Sequence, residues 1–149
     1  MNNRDRLPGF VGGVTAAFVV AYWTAVLTGL FPVAELVPGY RSWFMAFPAA
    51  DAWIALAGIW LAGAARRGGP SVIPAAAALG SGLLFLGLYA FSYGAGTGLL
   101  FVLTPDELVE IAIKVYCTGA GSALVVMAWR RAAEPARSAT LELARRSSR

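Results

Sequence analysis

The stretch Val11–Phe31, VGGVTAAFVVAYWTAVLTGLF, carries no charged residue over 21 positions. At about 1.5 Å of rise per residue, a helix of this length crosses a bilayer hydrocarbon core of roughly 30 Å. It ends at Pro32, before a polar connection that holds Glu35, Pro38 and Gly39. Its apolar part exceeds the 7–15 residues typical of a signal peptide, and no small-x-small site precedes a polar start, so a retained helix is expected.

Three further stretches repeat the pattern. The second runs from Ser42 to Ala65, interrupted by Asp51, and stops at Arg66-Arg67 before the turn Gly68-Gly69-Pro70. The third runs from Val72 to Tyr93 without charge and is broken by Gly94-Ala95-Gly96-Thr97-Gly98. The fourth runs from Pro105 to Trp129, with Glu107, Glu110 and Lys114 near its start, and stops at Arg130-Arg131. Helices over 11–31, 42–65, 72–93 and 105–129 are therefore expected within a four-span domain, residues 1–131, followed by a basic tail, 132–149. That tail, with Leu141 and Leu143 among its arginines, is read either as docking weakly on anionic headgroups or as disordered.

The whole composition agrees. Of 149 residues, 58% are hydrophobic and 13% charged, against about one quarter charged in ordinary globular proteins. Mean hydropathy is +0.66. Disorder and a soluble enzyme are both excluded, because so apolar a chain has more surface to hide than one small core can take. Histidine is absent and Cys117 is the only cysteine. No common zinc, haem or copper site can be assembled from that inventory, and no disulfide or Cys-x-x-Cys relay. No metal and no cofactor is expected.

Basic residues number 12 against 8 acidic ones, and their placement explains the excess. Arg4, Arg6, Arg66, Arg67 and the six arginines from Arg130 onward fall on one side of the four spans, which is ten of the twelve. Arg41 and Lys114 are the exceptions. The positive-inside rule then predicts a cytoplasmic (inner) membrane protein with both termini cytoplasmic. Nucleic acid is not needed to explain the charge.

Thr104-Pro105-Asp106-Glu107 reads as a helix start, with a hydroxyl at the N-cap, proline at the first position and glutamate at the third. Asp106 and Glu107 also suit the positive end of the helix dipole, so they are read as structural. The preceding Leu99-Leu100-Phe101-Val102-Leu103 is too short to span. It either lies along the membrane surface or folds back over the bundle.

Small residues mark expected helix contacts, because lipid offers no hydrophobic drive for association. They are Gly13, Ala17, Ala21, Thr24 and Thr28 on helix one, and Asp51, Ala55, Gly58 and Ala62 on helix two. Helix three offers Ala76, Gly80 and Gly87, and helix four offers Thr118, Gly121 and Ser122. The predicted fold is all-α, an antiparallel four-helix transmembrane bundle. Pro48 should bend helix two, whereas Pro74 falls in a first turn and costs little.

Asp51 is the most informative polar residue. It lies nine positions below the outer start of helix two, and Lys114 lies nine positions after Pro105, so both sit at one depth on opposed helices. An Asp51–Lys114 pair, meeting directly or through one water, is expected, with Glu110 as the rival partner of Lys114 at i,i+4 spacing. Intramembrane charges are costly and mark function by default. The tentative ligand-binding set is Asp51, Glu110, Lys114, Tyr89 and Tyr93. Tyr22, Thr24, Ser92 and Tyr116 are further sources of hydroxyls. The bland alternative is a polar cluster that only fixes helix register, with Tyr89 and Tyr93 as interfacial aromatics. Trp43 and Trp129 suit interfaces, while Trp53 and Trp60 suit lipid or a partner. Cys117 is read as a packing residue, since a catalytic thiol lacks any histidine base.

The run Phe47-Pro48-Ala49-Ala50-Asp51-Ala52-Trp53 with Gly58 and Arg66-Arg67, the run Leu88 to Tyr93 and the run Lys114-Val115-Tyr116-Cys117 resemble small bacterial four-helix integral membrane proteins without an assigned activity. The resemblance covers about two thirds of the chain and implies a fold, not a reaction. Sterol-binding and isomerase-type four-helix proteins are more distantly similar, but their histidine is missing here. Small multidrug exporters resemble the chain poorly, because helix one carries no acid.

Two functions follow as expectations. In one, an outer-half cavity uses Asp51, Glu110 and Lys114 to bind or transport a small polar, amphiphilic or lipid-like ligand. In the other, the chain is a non-catalytic accessory or structural subunit of a larger membrane complex, or a homo-oligomer. Both place it against membrane lipid and neither requires an enzyme. The arginine asymmetry makes topology measurable: reporter fusions at Arg67 and Arg149 should read cytoplasmic, and fusions near Gly39 and Gly96 should read external. An external reading at the tail rejects the four-span topology.

Overall fold

The computed structural model describes the backbone of residues 3–35, 37–102 and 104–147, and the side chains of these except 3, 4, 106 and 135–147. Leu103, and the side chains of Asp106, Leu141 and Leu143, lie outside what is described. The chain is all-α: α1 spans Asn3–Leu27, α2 Tyr40–Phe44, α3 Pro48–Arg67, α4 Val72–Thr97 and α5 Pro105–Ser147, with a 3₁₀ turn at Leu99–Phe101. Four segments are long and apolar enough to cross a membrane: Asp5–Leu27, Tyr40–Arg67, Val72–Thr97 and Glu107–Glu134.

The boundaries differ from those of the apolar runs for identifiable reasons. α1 begins two turns earlier, at Asn3, and stops at Leu27, where Gly29 takes a left-handed φ of 77°. There the Gly29 N–H donates to Val26 O at 3.1 Å and the Phe31 N–H to Ala25 O at 3.0 Å, closing the helix end. α4 runs through Gly94 and Gly96 and ends only at Gly98, whose φ is 79°. α5 continues past Arg130-Arg131 to Ser147, a helix of 43 residues. Arginine, alanine and glutamate end an apolar run without ending a helix, since all are good helix formers.

The second span is split, not merely bent. α2 ends at Phe44 and α3 restarts at Pro48, its first helical residue. Proline lacks the N–H that would continue the ladder, and its ring collides with the carbonyl four residues back. Glu35 anchors the start of α2, accepting from the Gly39 N–H at 2.7 Å and the Arg41 N–H at 3.3 Å. At α5, the Thr104 hydroxyl accepts from the Glu107 N–H at 3.3 Å, as the capping pattern predicts.

Packing is concentrated in pairs. α1 lies on α3, α4 lies on α5, and the pairs meet through α3 and α4, while the backbones of α1 and α5 barely approach. Two glycine crossings set this arrangement. A Cβ on Gly58 would sit 2.6 Å from Gly12 O, and one on Gly12 would sit 2.7 Å from Gly58 O. In the other pair, a Cβ on Gly121 would sit 2.8 Å from Gly80 O. Leu61, Leu79, Leu83 and Ala75 fill the junction between the pairs.

Helix one turns a different face inward from the expected one. Gly12, Thr15, Ala16 and Trp23 are buried, whereas Ala17, Ala21, Thr24 and Thr28 are exposed. Spacing cannot separate two small-residue stripes offset by one position; the groove on α3, which leaves no room for a Cβ at position 12, does. On α5, Gly121 is buried but Ser122 is exposed. Leu99 is buried with Trp23, Tyr40 and Phe44, so the short apolar segment folds back over the bundle as far as it is described.

The glycine crossings predict a contrast. Gly58→Ala should lower the unfolding free energy by about 1–3 kcal/mol, the usual cost of overpacking. Gly119 has nothing within 4 Å of its Cβ position, so Gly119→Ala should be neutral or stabilise by up to about 1 kcal/mol. Reversible unfolding in detergent measures both, and equal effects would reject the crossing as the constraint.

Candidate functional site

The proline restart places Asp51 in the first turn of α3, where unpaired N–H groups and the helix dipole favour a carboxylate. Its side chain turns inward and is 9% exposed. The Trp23 indole N–H donates to Oδ2 at 2.6 Å. Oδ1 is buried with no hydrogen-bond partner. A buried acceptor left unmade costs about 1–3 kcal/mol, so this atom stands out energetically.

Lys114 is also buried, at 5% exposure. Its Nζ donates to Glu110 Oε2 at 3.2 Å and lies 3.7 Å from Glu107 Oε2. The latter is an ion contact beyond hydrogen-bonding reach, and Oε2 of Glu107 has no hydrogen bond. Asp51 and Lys114 do not form a direct ion pair: among the described residues, Lys114 has only carboxylates of its own helix within 4.0 Å. Equal depth did not make the two helices neighbours: α3 packs on α1 and α4, and α5 packs on α4. Residues spaced by four on one helix face each other without any tertiary register, so Glu110, the rival partner, has the advantage.

Asp51, Glu110 and Lys114 are nevertheless brought together, as walls of one cavity of about 100 Å³. Trp23 and Cys117 share its polar side, and Phe18, Phe47, Leu86 and Ile113 are among its apolar walls. It sits where α1 and α5 stand apart. Tyr116 crosses that seam to Thr15 at 2.6 Å. The Thr15 hydroxyl already donates to Val11 O, so Tyr116 is the donor. Towards the ends of the chain the seam is closed by Arg131, whose Nη1 lies 2.6 Å from Asp5 Oδ1.

Tyr89 and Tyr93 do not line the cavity. They stand behind Trp43, which does: the Tyr93 ring stacks on it at 3.7 Å and 9°. The Tyr89 hydroxyl accepts from Trp43 Nε1 at 3.3 Å. Tyr22 reaches the cavity wall, whereas Thr24 and Ser92 are exposed and bond to their own helices. Trp53, Trp60 and Trp129 are on the outer surface.

A second cavity of about 100 Å³ lies between the α1–α2 connection and the start of α5, with Tyr40, Thr104, Glu107 and Glu110 in its walls. Glu110 and Phe44 belong to both cavities. Glu110 is held from two sides, since the Tyr40 hydroxyl donates to its Oε1 and Lys114 to its Oε2.

Three residues of this constellation escaped the sequence reading. Glu107 was assigned to the helix cap, and its backbone does cap, but its side chain is 1% exposed and faces Lys114. Its i+7 spacing to Lys114, two turns along one face, was the available signal. Trp23 continues the stripe Gly12, Ala16, Val19 at helical spacing, yet only the tertiary structure puts Asp51 opposite it. Tyr40, expected in a loop, begins α2 and has no sequence signature.

Comparison of the chain with protein-family models, curated proteins and solved structures finds no match. The chemistry must therefore be read from the side chains. Glu107 and Glu110 share one ammonium, Lys114, and Asp51 is bonded by Trp23 alone, leaving acceptors in excess among the described residues. The pairing predicts that Lys114→Met costs about 3–5 kcal/mol, the penalty for breaking a buried pair. Coupling of Lys114→Met with Glu110→Gln should exceed its coupling with Asp51→Asn in double-mutant cycles of unfolding in detergent. The reverse order rejects the assigned pairing.

Proposed function

We propose that the chain is an integral protein of the cytoplasmic membrane, with both termini cytoplasmic, whose inner cavity binds a small amphiphile carrying an ammonium group. The membrane assignment rests on four apolar helices and on the arginines gathered at one end. The ligand assignment rests on one observation: Asp51 Oδ1, buried and without a partner, lies on an Asp51 side chain that lines a cavity.

Such an atom needs a donor. Surrounding carboxylates outnumber cations, so a positively charged donor is favoured over a neutral one, and an anion is disfavoured. The apolar walls suit a short hydrocarbon portion, and apolar walls with few polar groups are the usual make-up of a small-molecule site. A cavity beside the carboxylate favours this reading over that of a purely structural subunit. Binding and carriage across the membrane are both compatible with the site.

The Trp23 indole N–H, bonded to Asp51, is a built-in reporter. In nanodisc-embedded protein with ¹⁵N-labelled tryptophan, butylammonium should shift that resonance saturably, butanol should act more weakly, and butyrate should leave it unchanged. Asp51→Asn should weaken the butylammonium response by about tenfold or more, as expected for loss of a charge-assisted hydrogen bond. Equal responses to amine and carboxylate, or none to any of the three, would reject the reading.

A further inference from the structure

The second cavity is lined by a carboxylate, Glu107, that does not line the inner one. Glu107 is 1% exposed, lines this cavity, and has an Oε2 without a hydrogen bond. Among the described residues its only close cation is Lys114 Nζ at 3.7 Å, and that ammonium gives its shorter contact, 3.2 Å, to Glu110. Thr104 and Glu110 stand in the same wall, and the cavity opens beside the α1–α2 connection, away from the chain termini. Two carboxylates, one shared lysine and a buried acceptor without a hydrogen bond on a residue that lines a cavity make a place that lacks a hydrogen-bond donor, not a finished structural cluster.

From this we propose that the Glu107–Glu110 cavity is a second binding site for a primary ammonium group, outside the inner cavity and joined to it through Glu110. The choice of ammonium rests on the reading of the inner cavity; the existence of the site rests on Glu107. Glu110 is the common element, because its two oxygens face Tyr40 on one side and Lys114 on the other. A ligand ammonium in the outer site meets the same carboxylate that borders the inner one. A free amine and the headgroup of phosphatidylethanolamine both present this chemistry at the loop end of the bundle.

The test uses the full chain in nanodiscs of phosphatidylcholine and phosphatidylglycerol, with Asp51→Asn disabling the inner site. Methylammonium should shift the Glu107 and Glu110 amide resonances saturably in that protein. Adding Glu107→Gln should weaken the response by about tenfold, the worth of one charged hydrogen bond. Tetramethylammonium, which has charge but no N–H donor, should bind at least about tenfold more weakly than methylammonium, and acetate should have no effect. This comparison needs no change at Glu107, so it stands even if that variant does not fold. Repeating the experiment with phosphatidylethanolamine in the nanodisc and no added amine identifies the source: a shift there assigns a lipid headgroup, and a response to methylammonium alone assigns a free amine. No shift from either source, or equal binding of tetramethylammonium, overturns the proposal. Loss of the Trp23 response to butylammonium in the unmutated protein, with the Glu107 response retained, overturns the inner site alone.

Discussion

Two contacts of backbone on backbone organise this molecule. Where Gly12 meets Gly58, and where Gly80 meets Gly121, no side chain of any size fits between the helices. Where helices are this apolar, burial of apolar surface discriminates poorly between partners, so close approach and dispersion decide which helices pair. Because each crossing lies within a pair (α1 with α3, α4 with α5), close packing is satisfied inside the pairs and at the α3–α4 junction. The remaining seam, between α1 and α5, is left to polar side chains: Tyr116 to Thr15, and Arg131 to Asp5. The cavity lies beside that seam because nothing requires the two backbones to close.

Pro48 supplies the second constraint. By ending one helical segment at Phe44 and starting another, it places a helix N-terminus inside an apolar span. Asp51 stands in that first turn, which lessens the cost of a carboxylate far from the chain's polar ends. The same reset brings α2 across the bundle, so that Tyr40 reaches Glu110 and Phe44 separates the two cavities. One residue without an N–H thus connects the helix break, the buried acid and the division of the interior.

The polar interior is unevenly satisfied. Lys114 is held by its own helix, Glu110 by two donors, and Asp51 by Trp23, yet one oxygen each of Asp51 and Glu107 has no hydrogen bond. A cluster whose only role was to fix register gains nothing from buried acceptors left without donors, since replacing buried ion pairs with apolar groups is often neutral or stabilising.

Helix number, approximate helix positions, the capped start of α5 and the grouping of Asp51, Glu110 and Lys114 were all legible from the amino-acid sequence. Each depends on local properties: hydropathy over a window, the missing N–H of proline, or the spacing of residues on one helix. Even the Lys114–Glu110 pair belongs to this class, because four residues along a helix suffice to specify it. The tertiary structure alone decided which of two stripes on α1 faces inward, that Trp23 rather than Lys114 meets Asp51, and that Tyr89 and Tyr93 stand behind the cavity wall. These are questions of helix adjacency and rotation. Depth along a span is additive in residue count, but neighbours are chosen by steric fit between distant segments, and a glycine shows only that close approach is possible, not what approaches.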